Sequence, residues 1–137
     1  MADTPTAAVE AHMAAINSKE RARFAATIAY PFVHIESNGE KIIYTSAADV
    51  PDMSAVPFAR SEVANCDTIS SNDDLAVYLL SWQRYDADGN REPLVRGLWG
   101  VQRSGAHWKI GWRQYLGDDG ATPHKPVLAH LGRRAGG

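Results

Sequence analysis

The chain has 137 residues and a single cysteine, Cys66. One thiol closes no internal disulfide and builds no zinc knuckle, so a reducing, cytoplasmic setting is the expectation. Cys66 sits in a weakly alternating stretch and reads as a small buried hydrophobe rather than a reactive thiol. No basic run is longer than Arg133-Arg134, and 14 Lys and Arg against 16 Asp and Glu leave a net charge of -2. Without a basic stripe to track phosphates, no nucleic-acid partner is expected. No stretch approaches the ~20 apolar residues of a membrane-crossing helix, so no membrane partner is expected either. Met1-Ala2-Asp3-Thr4-Pro5 has neither the basic start nor the apolar core of a signal peptide. A Gly-rich phosphate loop, a nucleophile elbow, a Ser/His/Asp order and a His-Glu-x-x-His motif are all missing.

What is present suits one soluble domain, with 45% hydrophobic and 22% charged residues. A chain this long buries roughly two-thirds of its unfolded surface and needs no disulfide or metal to fold. The domain is placed at residues 1–116. A Gly/Pro-rich tail is placed at 117–137, which holds five of the eleven glycines and no aromatic residue. Seven of the twelve aromatics, with every Trp, lie between Tyr78 and Tyr115.

The front is helical. Thr4 or Thr6 can cap a helix, Pro5 suits its first position, and Val9, Met13 and Ile16 line one face. Ser18 can cap a second helix carrying Phe24 and Ile28, which Pro31 is expected to end. The period then changes to two. Phe32–Glu36 and Lys41–Tyr44 read as a hairpin about Asn38-Gly39. A short helical turn from Ser46 to Val50 follows, and Arg60–Ile69 reads as a third strand. Leu75–Tyr85, Pro93–Arg103 and His107–Leu116 form a three-stranded meander, longer than usual and open to bending at Gly97, Gly100 and Gly111.

This order of elements resembles the nuclear transport factor two-like superfamily, in its SnoaL-like and ketosteroid isomerase-like branch. The cues are Tyr30-Pro31-Phe32-Val33 opening the first strand, Arg84-Tyr85-Asp86-Ala87-Asp88-Gly89 at the first long turn, and Gly105-Ala106-His107-Trp108-Lys109-Ile110 before the end. The resemblance implies an α+β, cystatin-like cone, with N-terminal helices packed in a strongly curved, mixed, mostly antiparallel sheet. It implies an apolar pocket for a small apolar molecule, no cofactor, and a homodimer packed through the sheet. Its members include isomerases, dehydratases, epoxide hydrolases and cyclases as well as non-catalytic association domains, so the fold alone does not choose a function.

The candidate chemistry starts at His34 and Glu36, two apart and so on one face of a strand. Facing the pocket, they make a base–carboxylate pair, and the isomerases that the chain resembles carry an acid near this point. Otherwise Val33 and Ile35 are the inward pair. A metal at His34 and Glu36 would need a further ligand, and His12, His107 and His124 have no recognisable spacing to them. Tyr30, Tyr44 and Tyr78 are candidate donors to a developing oxyanion, or amphipathic core residues. Arg96 and Arg113 lie in apolar strands and must find a carboxylate, a ligand anion or solvent. Strict alternation puts Trp108, Ile110 and Trp112 on the core face and Arg113 with Tyr115 on the outer, dimer-facing side; a bulge at Gly111 would invert this. Trp82, Trp99, Trp108 and Trp112 form either a platform for a flat ligand or core and interface mass. The expectation is a small-molecule pocket with His34, Glu36 and Tyr44 as catalytic residues of a cofactor-free lyase or isomerase. Tyr30, Tyr78, Trp82, Arg96, Trp99, Trp108, Trp112 and Arg113 are the candidate ligand-binding residues. The alternative is a non-catalytic ligand-binding or dimerisation module of the same fold.

Overall fold

The computed structural model describes residues 2–118, Pro57 excepted; the tail expected from residue 117 onward, and His124 with it, otherwise lies outside the described residues. Helix α1 spans Pro5–Ser18, and the Thr4 hydroxyl accepts the Ala7 N–H at its start. Val9, Met13 and Ile16 are buried as their spacing predicts, and Ala8, His12 and Ala15 widen the face. Lys19 ends the helix in the left-handed region at φ 61, its N–H returning to the Ile16 carbonyl. Ser18 accepts the Glu20 N–H, although Glu20 itself stands at the cap of the short helix α2, Arg21–Ala26.

The second helix does not run to Pro31. It stops at Ala26, and strand β1, Ile28–Ile35, starts two residues later. Phe24 and Ile28 both reach the core, fully buried, but from a helix and a strand respectively. Long-range pairing overrides the local pattern, because Ile28 pairs with Ile110 and the Ile110 N–H donates to the Thr27 carbonyl. Pro31, which has no N–H, falls in the irregularity of that pairing between Ile28 and Val33, where a proline is tolerated.

The remaining strands are β2 (Lys41–Tyr44), β3 (Arg60–Ser71), β4 (Leu75–Tyr85), β5 (Val95–Ser104) and β6 (His107–Asp118). They form one sheet in the order β2-β1-β6-β5-β4-β3. Among the described residues only the β1–β6 pairing is parallel. Strand β6 therefore runs two residues beyond the boundary expected at Leu116. Helix α1 packs against β3, β5 and β6 together, so the sheet curls around it, an α+β cone. Among the described residues no helix is long and apolar enough to cross a membrane.

One irregularity in β6 decides what faces the inside. Gly100 pairs with Trp112 but Val101 pairs with Ile110, so Gly111 is an extra residue in the ladder. Such a bulge lets two consecutive residues share a face. Ile110 points inward, Gly111 and Trp112 outward, and Arg113 and Tyr115 inward, at 1% and 5% exposure. Arg113 is thus not on the outer face where strict alternation puts it. Trp112 lies there instead, its indole over the place that a side chain on Gly100 would occupy.

The end of the cone is covered by the segment between β2 and β3. Ser46 caps a 3-10 turn at Ala47–Asp49, and Asp52 caps another at Met53–Ala55. Val50, Met53, Val56 and Phe58 bury themselves against the core. The Arg21 guanidinium donates to the carbonyls of Ala47, Ala48 and Val50, and Lys19 donates to that of Phe58. Asn17 ties α1 to β3 twice, donating to the Ser61 carbonyl at 2.8 Å and accepting the Ser61 N–H at 2.7 Å.

Candidate functional site inside the cone

On β1 the inward residues are Phe32 and His34, and Glu36 just beyond its end is buried with them, while Val33 and Ile35 are half-exposed on the other side. Of the two facings open to this strand, it adopts the one that buries the polar pair. The His34 Nε2 and Glu36 Oε1 atoms are 2.8 Å apart, so His34 donates from Nε2 to the carboxylate. The His34 ring meets Tyr115 edge-on at 4.4 Å. Tyr44 comes in from β2, stacked on Phe32 at 5.8 Å, and its fully buried hydroxyl has no hydrogen-bond partner. Burial pushes that phenol up to about 12 against the opposing pull of Arg113, so it stays protonated and able to donate at neutral pH.

Arg113 is held by a chain of hydrogen bonds whose polarity follows from one fact. A guanidinium only donates. Its Nη1, 3.0 Å from His12 Nε2, makes that nitrogen the acceptor. The ring proton is then on Nδ1, which donates to the Thr27 hydroxyl at 2.7 Å, and that hydroxyl donates to the Phe24 carbonyl at 2.8 Å. His12 is fully buried, and burial first, then the charge of Arg113, then His34, hold its pKa well below the usual imidazole value. It is a neutral imidazole that positions Arg113. The Arg113 guanidinium lies 5.3–5.9 Å from the ring centres of Phe24, Phe32, Trp99 and Tyr115.

A second guanidinium enters from β4. Arg84 is 2% exposed, stacked 4.6 Å over Phe58, and hydrogen-bonded to the Tyr115 side chain. Burial lowers its pKa, and the nearby Arg113 charge adds to that; Tyr115 and Glu92 pull the other way. Between the two arginines is a small cavity of about 10 Å3, lined also by Phe24, Trp82, Trp99, Met53 and Phe58. That is room for about one water. Four buried polar atoms of residues lining it have no hydrogen-bond partner: Ser61 Oγ, Arg84 Nε, Trp99 Nε1 and Arg113 Nε.

The expected site residues divide accordingly. Trp82, Trp99 and Arg113 line this cavity; His34, Glu36 and Tyr44 are inside the cone, in the layer beyond Arg113 and Tyr115. Tyr78 is buried opposite Trp99 without lining the cavity. Tyr30 is half-buried and its hydroxyl donates to the Ala25 carbonyl at 2.9 Å. Trp108 lines a separate groove with Ala8, Ala11 and Lys109. Arg96 is exposed and Trp112 faces outward, so neither stands in the cone, because β5 keeps its parity opposite β4 while β6 changes its own at Gly111. Arg84, His12, Ser61 and Tyr115 belong to the interior without having been expected there. For Arg84 and His12 the sequence does hold a cue. Arg84 is in phase with Tyr78, Leu80 and Trp82, and His12 with Val9 and Ile16. Among the described residues no group of three or more His, Cys, Asp or Glu is placed to hold a metal ion.

No protein-family model matches this sequence, and no curated protein matches it. Solved structures do. A protein of unknown function with a cystatin-like fold from Nostoc punctiforme superposes with a TM-score of 0.68 at 16% identity, over 90% of this chain and 98% of that one. An NTF2-like protein of unknown function from Pseudomonas putida gives 0.64 at 17% identity, over 88% and 89%. A protein from Thiobacillus denitrificans, named after the calcium/calmodulin-dependent protein kinase type II association domain, gives 0.68 at 14% identity, over 91% and 98%. The chain therefore has the cystatin-like fold of the NTF2-like proteins, which leaves its chemistry to its own residues.

Proposed function

We propose that this protein holds a small molecule inside the cone, against Ser61, Arg84, Trp99 and Arg113. The observation that supports this reading is that four residues lining one cavity each carry a buried polar atom without a hydrogen-bond partner. A buried donor left unmade costs about 1–3 kcal/mol, and four in one place are not a feature of a core built only for stability. The cavity has room for about one water as it stands, so a ligand needs lining side chains such as Met53 to move aside. In thermal-shift measurements across a panel of small metabolites, a binder raises the Tm of the protein and loses that effect in Ser61→Leu, which fills the void. Equal shifts in both proteins would place the binding elsewhere.

A catalytic reading has its own observation. His34 and Glu36 form a buried pair, and Tyr44 beside them is a protonated donor without a partner. In this reading the protein is a cofactor-free lyase or isomerase. Glu36 and His34 move the proton and Tyr44 donates to the oxyanion, a combination that typically gives ~100–10,000-fold. The double change His34→Ala, Glu36→Gln separates the two readings, because it abolishes turnover of a bound molecule but leaves a pure binding module able to bind.

A homodimer through the sheet is the further part of this proposal. The outer face presents Trp112 with Leu98 and Leu79, half-buried, and Ile43 and Leu116, about half exposed. Sedimentation at the mass of two chains in micromolar solution is expected; the mass of one chain would overturn it. The lone Cys66 supports a cytoplasmic location.

A further inference from the structure

We infer that the molecule held in the cone is a small monocarboxylate with a short apolar body, its two oxygens bound between Arg84 and Arg113. This rests on reading the cone interior as a binding site and names the chemical class of its occupant.

Charge is the first argument. Arg84 and Arg113 are 2% and 1% exposed, near enough for each to act on the other's charge, and they line the same cavity. Taking a guanidinium out of water is costly unless an opposite charge meets it. The hydrogen-bond partners of the two are Tyr115 and the neutral His12. Glu36 is the carboxylate buried in the same interior, and it is engaged by His34. Among the described residues that line the cavity there is no carboxylate, so an anion on a ligand is what meets the two guanidiniums there.

Donor chemistry is the second argument. Arg Nε–H and Trp Nε1–H donate and cannot accept. Three of the four unpartnered atoms at the cavity are of this kind, and the Ser61 hydroxyl can act likewise. An occupant must therefore bring acceptors. A carboxylate brings two oxygens with several lone pairs, and its planar fork matches a guanidinium edge. An amide of the same shape brings one acceptor and a pair of donors that find nothing to bind. The rest of the wall is Met13, Ile16, Phe24, Phe58 and Trp82, which suits an apolar body and no further polar group. The volume limits the ligand to a handful of heavy atoms even when Met53, an adaptable side chain, gives way.

The test uses benzoate, butyrate, benzamide and inorganic phosphate on the full chain at 150 mM salt, read by thermal shift and calorimetry. Benzoate or butyrate is expected to bind and raise the Tm, while benzamide and phosphate leave it unchanged. Arg84→Met and Arg113→Met are each expected to weaken carboxylate binding about 10- to 100-fold, the usual effect of losing a charge-assisted hydrogen bond. The acid–amide comparison needs no variant, so it stands even if Arg113→Met does not fold. Benzamide binding as tightly as benzoate would overturn the carboxylate assignment and leave the pocket reading intact. Phosphate binding in preference to the acids would overturn it as well. Carboxylate binding unchanged in Arg84→Met and in Ser61→Leu would put the ion outside the cone. No binding of any acid or amide would overturn both this inference and the pocket reading beneath it.

Discussion

Replacing Arg84 by methionine should make the protein more stable while weakening the carboxylate binding proposed above. In the structure Arg84 is almost fully buried, its Nε has no partner, and burial lowers its pKa, so the folded state disfavours the charge it carries. Methionine has a similar length and no polar atom to leave unmet. The change gives up the hydrogen bond to Tyr115, about 1.5–3 kcal/mol for a charged donor, and the stacking on Phe58, about 0.5–2 kcal/mol. Against this it removes an unmade donor, about 1–3 kcal/mol, and the several kcal/mol of keeping a guanidinium out of water. The balance is a gain of about 1–2 kcal/mol, at the low end of what apolar replacement of buried ionic groups yields. For a chain of this length that is a rise in Tm of roughly 3–6 °C. Urea and thermal unfolding followed by tryptophan fluorescence measure it directly, with the benzoate titration run on the same samples. A loss of 2 kcal/mol or more would refute the reasoning, for it would mean that Arg84 is satisfied within the fold.

Three further outcomes follow from the geometry. His12 is a base whose folded pKa lies well below its unfolded value of about 6.5. Below that pH the unfolded chain takes up a proton that the folded one refuses. Its contribution to stability is therefore complete above pH 6.5 and falls with acid, by up to about 1.4 kcal/mol per pH unit. His12→Gln, which can still accept from Arg113 and donate to Thr27, should lack this slope between pH 7 and 5.5, and an equal slope in both proteins would contradict the assignment. Asn17→Ala removes both links to the Ser61 backbone and should cost about 1–3 kcal/mol in urea unfolding; a change under ~0.5 kcal/mol would show that water takes its place. In Gly97→Ala the new Cβ would be 2.9 Å from Trp82 Cη2 and 3.0 Å from the Gln114 carbonyl. A cost of about 1–3 kcal/mol, with a change in near-UV circular dichroism from Trp82, is expected, and an unchanged Tm would count against the packing described.

The parts of this fold that were legible in the sequence are those held by strong local patterns. Strand β4 runs from Leu75 to Tyr85 as its apolar run and the Asn72 and Gly89 turns predict. Thr4 and Pro5 start α1, and Asn38-Gly39 turns the first hairpin, for the same kind of reason. Facing was harder. Around His34, apolar residues alternate with polar ones on a central strand whose two faces are both partly covered, so hydrophobicity alone does not say which is inside. The end of α2 was set by a partner far along the chain, Ile110, which no local rule sees. Arg84 and His12 are polar residues standing in the phase of core positions, and that mismatch is what marks them. Strict alternation placed Arg113 outside because it took β6 to be regular.

That irregularity has a consequence for how this protein can change. Trp112 and Arg113 are neighbours in the chain and so take opposite faces of the sheet, and what decides which of them is inside is the unpaired residue before them. The identity of residue 111 matters little to this, since a Cβ there meets chiefly the end of the Gln102 side chain, which can swing away. What matters is that it stays out of the ladder. Substitution at 111 should be absorbed, and so should its deletion, because regular alternation from Ile110 then still places Trp112 outward and Arg113 inward. Pairing Gly111 into a regular strand would instead send Arg113 and Tyr115 to the surface and bring Trp112 into the cone. The lining of this cavity is thus stored partly in the register of β6 against β5.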